Sequence, residues 1–310
     1  MVEHDVAEID LAIREGRFQR WLALMVGMSS VLGGLEVAYE HYRGSYSRRI
    51  MYTPVILSGT LVIGGFAGFF NGRAARTPLR YLSIITLADS MIGFYFHVRG
   101  IQRKPGSWRL PIVNMVMGPP VFAPLLFGVS AYLGLLASYL RRGEQNDGKL
   151  FPRPAHAQHW AHRLIGEHEP INWTQDVREG RFQKQMAVAA AISAFFSGFE
   201  AWYSHYKNNF RYKVQWTPVI LAPMLMATGI GAVKSPRVAH TWLPTISALA
   251  VANGAIGFGY HARGVLRRPG GLKKPIYNII YGPPLFAPLL FAASGFLGLL
   301  ASLLRREKSK

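Results

Sequence analysis

The chain has 310 residues, of which 50% are hydrophobic and only 16% charged, with a mean hydropathy of +0.14. That balance belongs to membrane proteins rather than to a pair of soluble domains. Lys and Arg number 35 against 16 Asp and Glu, a formal charge of +19, and no cysteine is present. Long stretches carry no charge, so the positive excess must sit in short, strongly basic connections. Without cysteine there are no iron–sulfur clusters, zinc-thiolate sites, covalent c-type haem attachment, thiol catalysis or disulfides. The basic residues flank apolar runs and no RRM, KH, helix-turn-helix or zinc-finger pattern occurs, which sets nucleic acid aside.

The first thirteen residues are acidic, and the first apolar run follows Arg14, Arg17 and Arg20 without a small-residue cleavage pattern, so no cleavable signal is expected. Four apolar stretches then follow, at residues 21–39, 54–70, 79–96 and 115–140. After a connecting segment come four more, at 186–203, 218–233, 243–260 and 280–304. Each is long enough, or nearly so, to cross a hydrocarbon core of about 30 Å. The second of each set is short and invites a tilted or re-entrant path. Counted by loop, Lys and Arg number about 20 on the N-terminal side and about 15 on the far side, a weak bias toward a cytoplasmic N-terminus.

The two sets are copies of one unit. Arg14-Glu15-Gly16-Arg17-Phe18-Gln19 recurs as Arg178-Glu179-Gly180-Arg181-Phe182-Gln183, an offset of 178 − 14 = 164. The same offset carries Thr53-Pro54-Val55-Ile56-Leu57 onto Thr217-Pro218-Val219-Ile220-Leu221, and Gly118-Pro119-Pro120 onto Gly282-Pro283-Pro284. The expected architecture is an all-α polytopic membrane protein of eight transmembrane helices: a first four-helix repeat (1–142), a linker (143–166) and a second repeat (167–310). Four is an even number, so the repeats are parallel and related by a pseudo-twofold along the membrane normal. The linker carries His156, His159 and His162, with His168 beyond, beside Trp160, Leu164 and Ile165; this reads as an interfacial amphipathic helix ahead of a surface metal site.

The polar residues kept by both copies gather at the face away from the N-terminus. The first helix of each copy ends in Glu36-x-x-Tyr39-x-His41-Tyr42 or Glu200-x-x-Tyr203-x-His205-Tyr206; the third ends in His97-x-Arg99-Gly100 or His261-x-Arg263-Gly264. Basic turns with Arg103 and Arg267 follow, and the fourth helix is expected to start at Gly-Pro-Pro, since proline costs little in a first turn. Pro124 and Pro288, further in, are candidate kinks. A carboxylate inside an apolar span costs about 2.5–3.5 kcal/mol on insertion scales and calls for a partner.

Glu36, His41 and His97, with Glu200, His205 and His261, form twice over the inventory of a two-histidine, one-carboxylate metal site, for which iron or copper is the expected ion. A competing reading pairs Glu36 with Arg99 or Arg103 and treats the histidines as interfacial anchors. A haem b alternative uses His41 and His97 as axial ligands, with Arg99, Arg103, Arg263 and Arg267 available to propionates or to another anionic group. Asp89, near mid-membrane and replaced by Asn253 in the second copy, is a candidate proton relay.

No Walker loop, dinucleotide fingerprint or Ser-His-Asp arrangement is present. The expected function is a metal-dependent membrane oxidoreductase subunit, with a quinone or lipid substrate and an acidic electron-transfer partner or further membrane subunits suiting the site. A secondary transporter built on parallel repeats and a non-catalytic subunit of a larger complex are the alternatives.

Overall fold

The computed structural model describes residues 17–140 and 181–303, and these are helical throughout, connected by turns. The linker histidines and the acidic N-terminal segment lie outside the described residues. In the first half α1 (Arg17–Arg43), α2 (Thr53–Phe70), α3 (Arg80–Gln102), α4 (Pro111–Val116) and α5 (Ala123–Leu140) follow in order. The second half runs α6 (Arg181–Lys207), α7 (Trp216–Lys234), α8 (Leu243–Leu266), α9 (Pro275–Ile280) and α10 (Ala287–Leu303). A single π turn, Ala75–Leu79 or Val238–Trp242, leads into α3 and α8.

Six of the described helical segments are long and apolar enough to cross a membrane, and two shorter apolar helices, Ala123–Ser138 and Ala287–Ser302, accompany them. Large side chains face outward along these helices: Ile63 is 71% exposed and Phe70 79%. So much exposed apolar surface is untenable in water and ordinary in lipid. The helices therefore define an integral, multi-pass membrane protein.

In each half the long helices pack as a four-membered bundle. α1 and α3 both lie against α2 and α5, and α6 and α8 both lie against α7 and α10, so the first and third helices of each half sit across the bundle from one another. Small residues set the closest approach. A Cβ on Gly65 of α2 would stand 2.5 Å from Gly27 N and 2.7 Å from Ala23 O of α1, and one on Gly229 of α7 would stand 2.7 Å from Ala187 O of α6. This is how helices associate where lipid removes any hydrophobic drive between them. The halves also touch, α1 against α10 and α6 against α5, and one contiguous apolar cluster holds residues from both, from Leu22, Val26 and Leu61 to Leu243 and Leu297.

The fourth apolar stretch differs from its expectation. The helix does not start at Gly118-Pro119-Pro120. The chain forms the six-residue α4, breaks over residues 117–122, and restarts as α5; α9, 281–286 and α10 do the same. Pro119 and Pro120 thus occupy the break, whereas Pro124 falls in the first turn of α5, where its missing N–H is no loss and no kink results.

Candidate functional site

The break in the fourth stretch is held against the third helix by glycines, prolines and one residue the sequence reading assigned to a metal, His97. Gly93, His97 and Gly100 share one face of α3. Pro124 seats on Gly93 and Pro119 on Gly100, so that an added Cβ would stand 3.1 Å from each ring. Between them, His97 Nδ1 donates to the carbonyl of Pro120 at 2.5 Å. The second half repeats the set: Pro288 on Gly257, Pro283 on Gly264, and His261 Nδ1 donating to Pro284 O at 2.5 Å. Gly118 and Gly282 complete the break, because a Cβ there would run into the carbonyls of Asn114 and Asn278. Those asparagines pin the basic turn, Asn114 donating to Pro105 O at 3.0 Å and Ser107 O at 2.7 Å, and Asn278 to Gly271 O at 3.0 Å.

Each glutamate reaches across to the other half. Glu36 Oε2 accepts from the backbone N–H of Phe286 at 3.2 Å, and Glu200 Oε1 accepts from that of Phe122 at 2.8 Å. Both amides belong to the residue just ahead of the restarted helix, where N–H groups have no intrahelical partner and the helix dipole favours negative charge. The hydroxyl of Tyr39 donates to Glu36 from one turn along α1. Phe122, the residue capped by Glu200, stacks among Phe195, Phe196 and Phe199 of α6. The carboxylates thus find their compensation in backbone amides of the opposite half, not in Arg99 or Arg103, both of which are exposed.

His41 ends α1 and is half-buried. Its Nδ1 donates to Met51 O at 2.6 Å, and its carbonyl accepts from Tyr46 N at 3.0 Å in a turn where Ser45 and Tyr46 both have positive φ. The corresponding turn after His205 has Asn209 and Phe210 at positive φ, with Phe210 N donating to His205 O at 3.0 Å. Stacked rings brace each turn, Tyr46 on Tyr52 at 4.2 Å and Phe210 on Trp216 at 4.0 Å. Across the second bundle, the rings of His205 and His261 lie 6.5 Å apart, centroid to centroid, at 86°. His41 and His97 of the first bundle are within electrostatic reach of one another.

A carbonyl only accepts, so the nitrogen facing it carries the proton. In His41, His97 and His261 that nitrogen is Nδ1, which leaves Nε2 of the neutral ring with its lone pair. Backbone anchoring of Nδ1 is the usual way a ligating histidine is oriented. Among the described residues, however, no group of three or more His, Cys, Asp or Glu is placed to hold a metal ion together.

Asp89 Oδ1 accepts from Thr53 Oγ1 at 2.7 Å and lies within electrostatic reach of His41; in the second half Asn253 Nδ2 donates to Thr217 Oγ1 at 2.6 Å. Arg99, Arg103, Arg263 and Arg267 are exposed at the same end of the bundles, and Arg99 lies over the ring of Tyr95 with its guanidinium 6.0 Å from the centroid. Comparison of the chain with protein-family models, curated proteins and solved structures finds no match, so the functional reading rests on this geometry.

Proposed function

We propose that the protein is a membrane oxidoreductase subunit in which each half holds a redox metal between its two histidines, His41 with His97 and His205 with His261, and that the metal is carried by haem b. The observation behind this reading is the His205 and His261 pair. The two rings lie 6.5 Å apart between centroids, on two helices of one bundle. They would hold a haem iron through their imidazole nitrogens, and the haem would supply one-electron chemistry within the membrane. Among the described residues no third His, Cys, Asp or Glu joins either pair, and Glu36 and Glu200 accept from amides of the opposite half, so a group that brings its own donors suits the pair better than a bare ion. The two halves are read as parallel copies about a pseudo-twofold, with α5 and α10 completing eight crossings. Exposed Arg99, Arg103, Arg263 and Arg267 suit propionates, an anionic quinone headgroup or an acidic electron-transfer partner.

The test is the absorption spectrum and metal content of the purified protein. Expected are a haem spectrum in the wild type, its loss in His261→Ala and His97→Ala in proportion to the half affected, and its retention in His240→Ala. A colourless, iron-free wild type, or equal metal in all three variants, overturns the reading.

A second reading has its own support. Discontinuous helices whose restarted N-termini face an anionic substrate group are the construction used by transporters at their binding sites, and here Glu36 and Glu200 stand at those N-termini. Substrate-dependent flux in liposomes that Glu36→Gln abolishes, in protein without metal, is the outcome that selects it.

A further inference from the structure

A cavity of about 190 Å³ opens below the basic turn of the second half, and its wall is wholly apolar, including Phe258, Ala262, Val265, Leu272, Ile279 and Leu285. It lies between α8 and α9 and is closed by Gly271 and Leu272 of the turn that carries Arg267, Arg268, Lys273 and Lys274. Arg268 is only partly exposed, and its Nε is buried without a hydrogen-bond partner, its stem packed toward Gly282. The Nε N–H is enclosed and has no acceptor, so the charge of this guanidinium is poorly compensated and an anion beside its exposed part is favoured. Around the cavity mouth Leu272 is 77% exposed and Ile276 72%, with Tyr277 beside them. An apolar slot under a cationic rim at the membrane interface matches one chemistry: an acyl chain with an anionic headgroup.

The copies diverge at this place. The first half has Gln102, Trp108 and Leu110 where the second has Leu266, Leu272 and Lys274, so the second half alone combines the aliphatic wall with a fourth cation. We propose that the turn from Arg267 to Lys274, with the groove beneath it, is a binding site for one anionic phospholipid. The phosphate lies against Arg268 and Lys274 and one acyl chain enters the groove between α8 and α9. None of the four histidines lines the groove, and Arg267 at its edge is the one residue it shares with the site proposed above; lipid binding is read without any cofactor.

The experiment is native mass spectrometry of the full-length protein released from micelles doped with either phosphatidylglycerol or phosphatidylcholine. The wild type is expected to retain one phosphatidylglycerol, and phosphatidylcholine far more weakly. Arg268→Gln and Lys274→Gln are each expected to weaken retention about fivefold, as a cation near an anionic lipid does. Leu272→Trp, which installs the residue the first half carries and changes no charge, is expected to lose the lipid while the protein stays monodisperse. Equal retention of the two lipids by the wild type refutes the proposal. So does unchanged phosphatidylglycerol binding in both Arg268→Gln and Leu272→Trp, and loss in Lys104→Gln, the matching position of the first half, equal to that in Arg268→Gln refutes its assignment to the second half.

Discussion

At the scale of single residues, the polar groups of this protein are explained by what they touch more than by what they are. Thr217 donates to Val214 O at 2.7 Å and accepts from Asn253 at 2.6 Å, so that its hydroxyl is used both as donor and as acceptor. Thr53 has one hydroxyl proton and two acceptors in reach, Ile50 O at 2.9 Å and Asp89 Oδ1 at 2.7 Å. Asn at position 89 reproduces the second half's arrangement, so Asp89→Asn is expected to leave thermal stability in detergent unchanged or raised. A marked fall in melting temperature would show that the carboxylate does something the amide cannot. Glu36 gives the complementary case. Glu36→Ala strips the acceptor from Phe286 N and from Tyr39 and should cost about 1–3 kcal/mol, the penalty for a buried unpaired group. Glu36→Gln keeps an acceptor oxygen and should cost much less. If Glu36 is a metal ligand after all, Gln will lower metal content while sparing stability, and metal analysis of that variant separates the two roles.

At the scale of elements, what was legible in the sequence and what was not divide along a physical line. Apolar run lengths reveal helices that span lipid, because span length is fixed by bilayer thickness. The retained Glu36 and His97 were legible as residues under constraint. Their partners were not, since both bind backbone groups, which leave no mark in composition. The break in the fourth stretch was misread as a helix start for the same reason: Gly-Pro-Pro is compatible with both, and the deciding contact is between Gly118 and the Asn114 carbonyl. A better signal lay in the third helix, where Gly93 and Gly100, seven apart, stand opposite Pro124 and Pro119. Gly118→Ala tests this directly. A Cβ at that position must displace the Asn114 carbonyl or Ile101, so the variant should lose about 1–3 kcal/mol, as overpacked sites do. The matching Gly282→Ala should behave alike, and near-neutral values for both, read from thermal melts, would mean that the break is not tightly specified.

At the scale of the molecule, the exchange of carboxylates ties the two halves together. In lipid the apolar core between them gains nothing from leaving water, so packing and hydrogen bonds must hold the halves in register. Among the described residues Glu36 to Phe286 and Glu200 to Phe122 are such bonds, and the second is embedded in the Phe195, Phe196 and Phe199 cluster. A protease site placed in residues 143–166 offers a way to weigh them. After cleavage in mild detergent the wild-type halves should still elute as one particle, because the interface needs no covalent link. Glu36→Ala with Glu200→Ala should release them at a lower detergent concentration or temperature. Phe122→Ala, which leaves both carboxylates in place, should loosen the particle through packing alone, and the triple variant should exceed either set because Phe122 carries the amide that Glu200 caps. Separation of the cleaved wild type under the mildest conditions would instead mean that the linker, and not the exchanged glutamates, keeps the halves together.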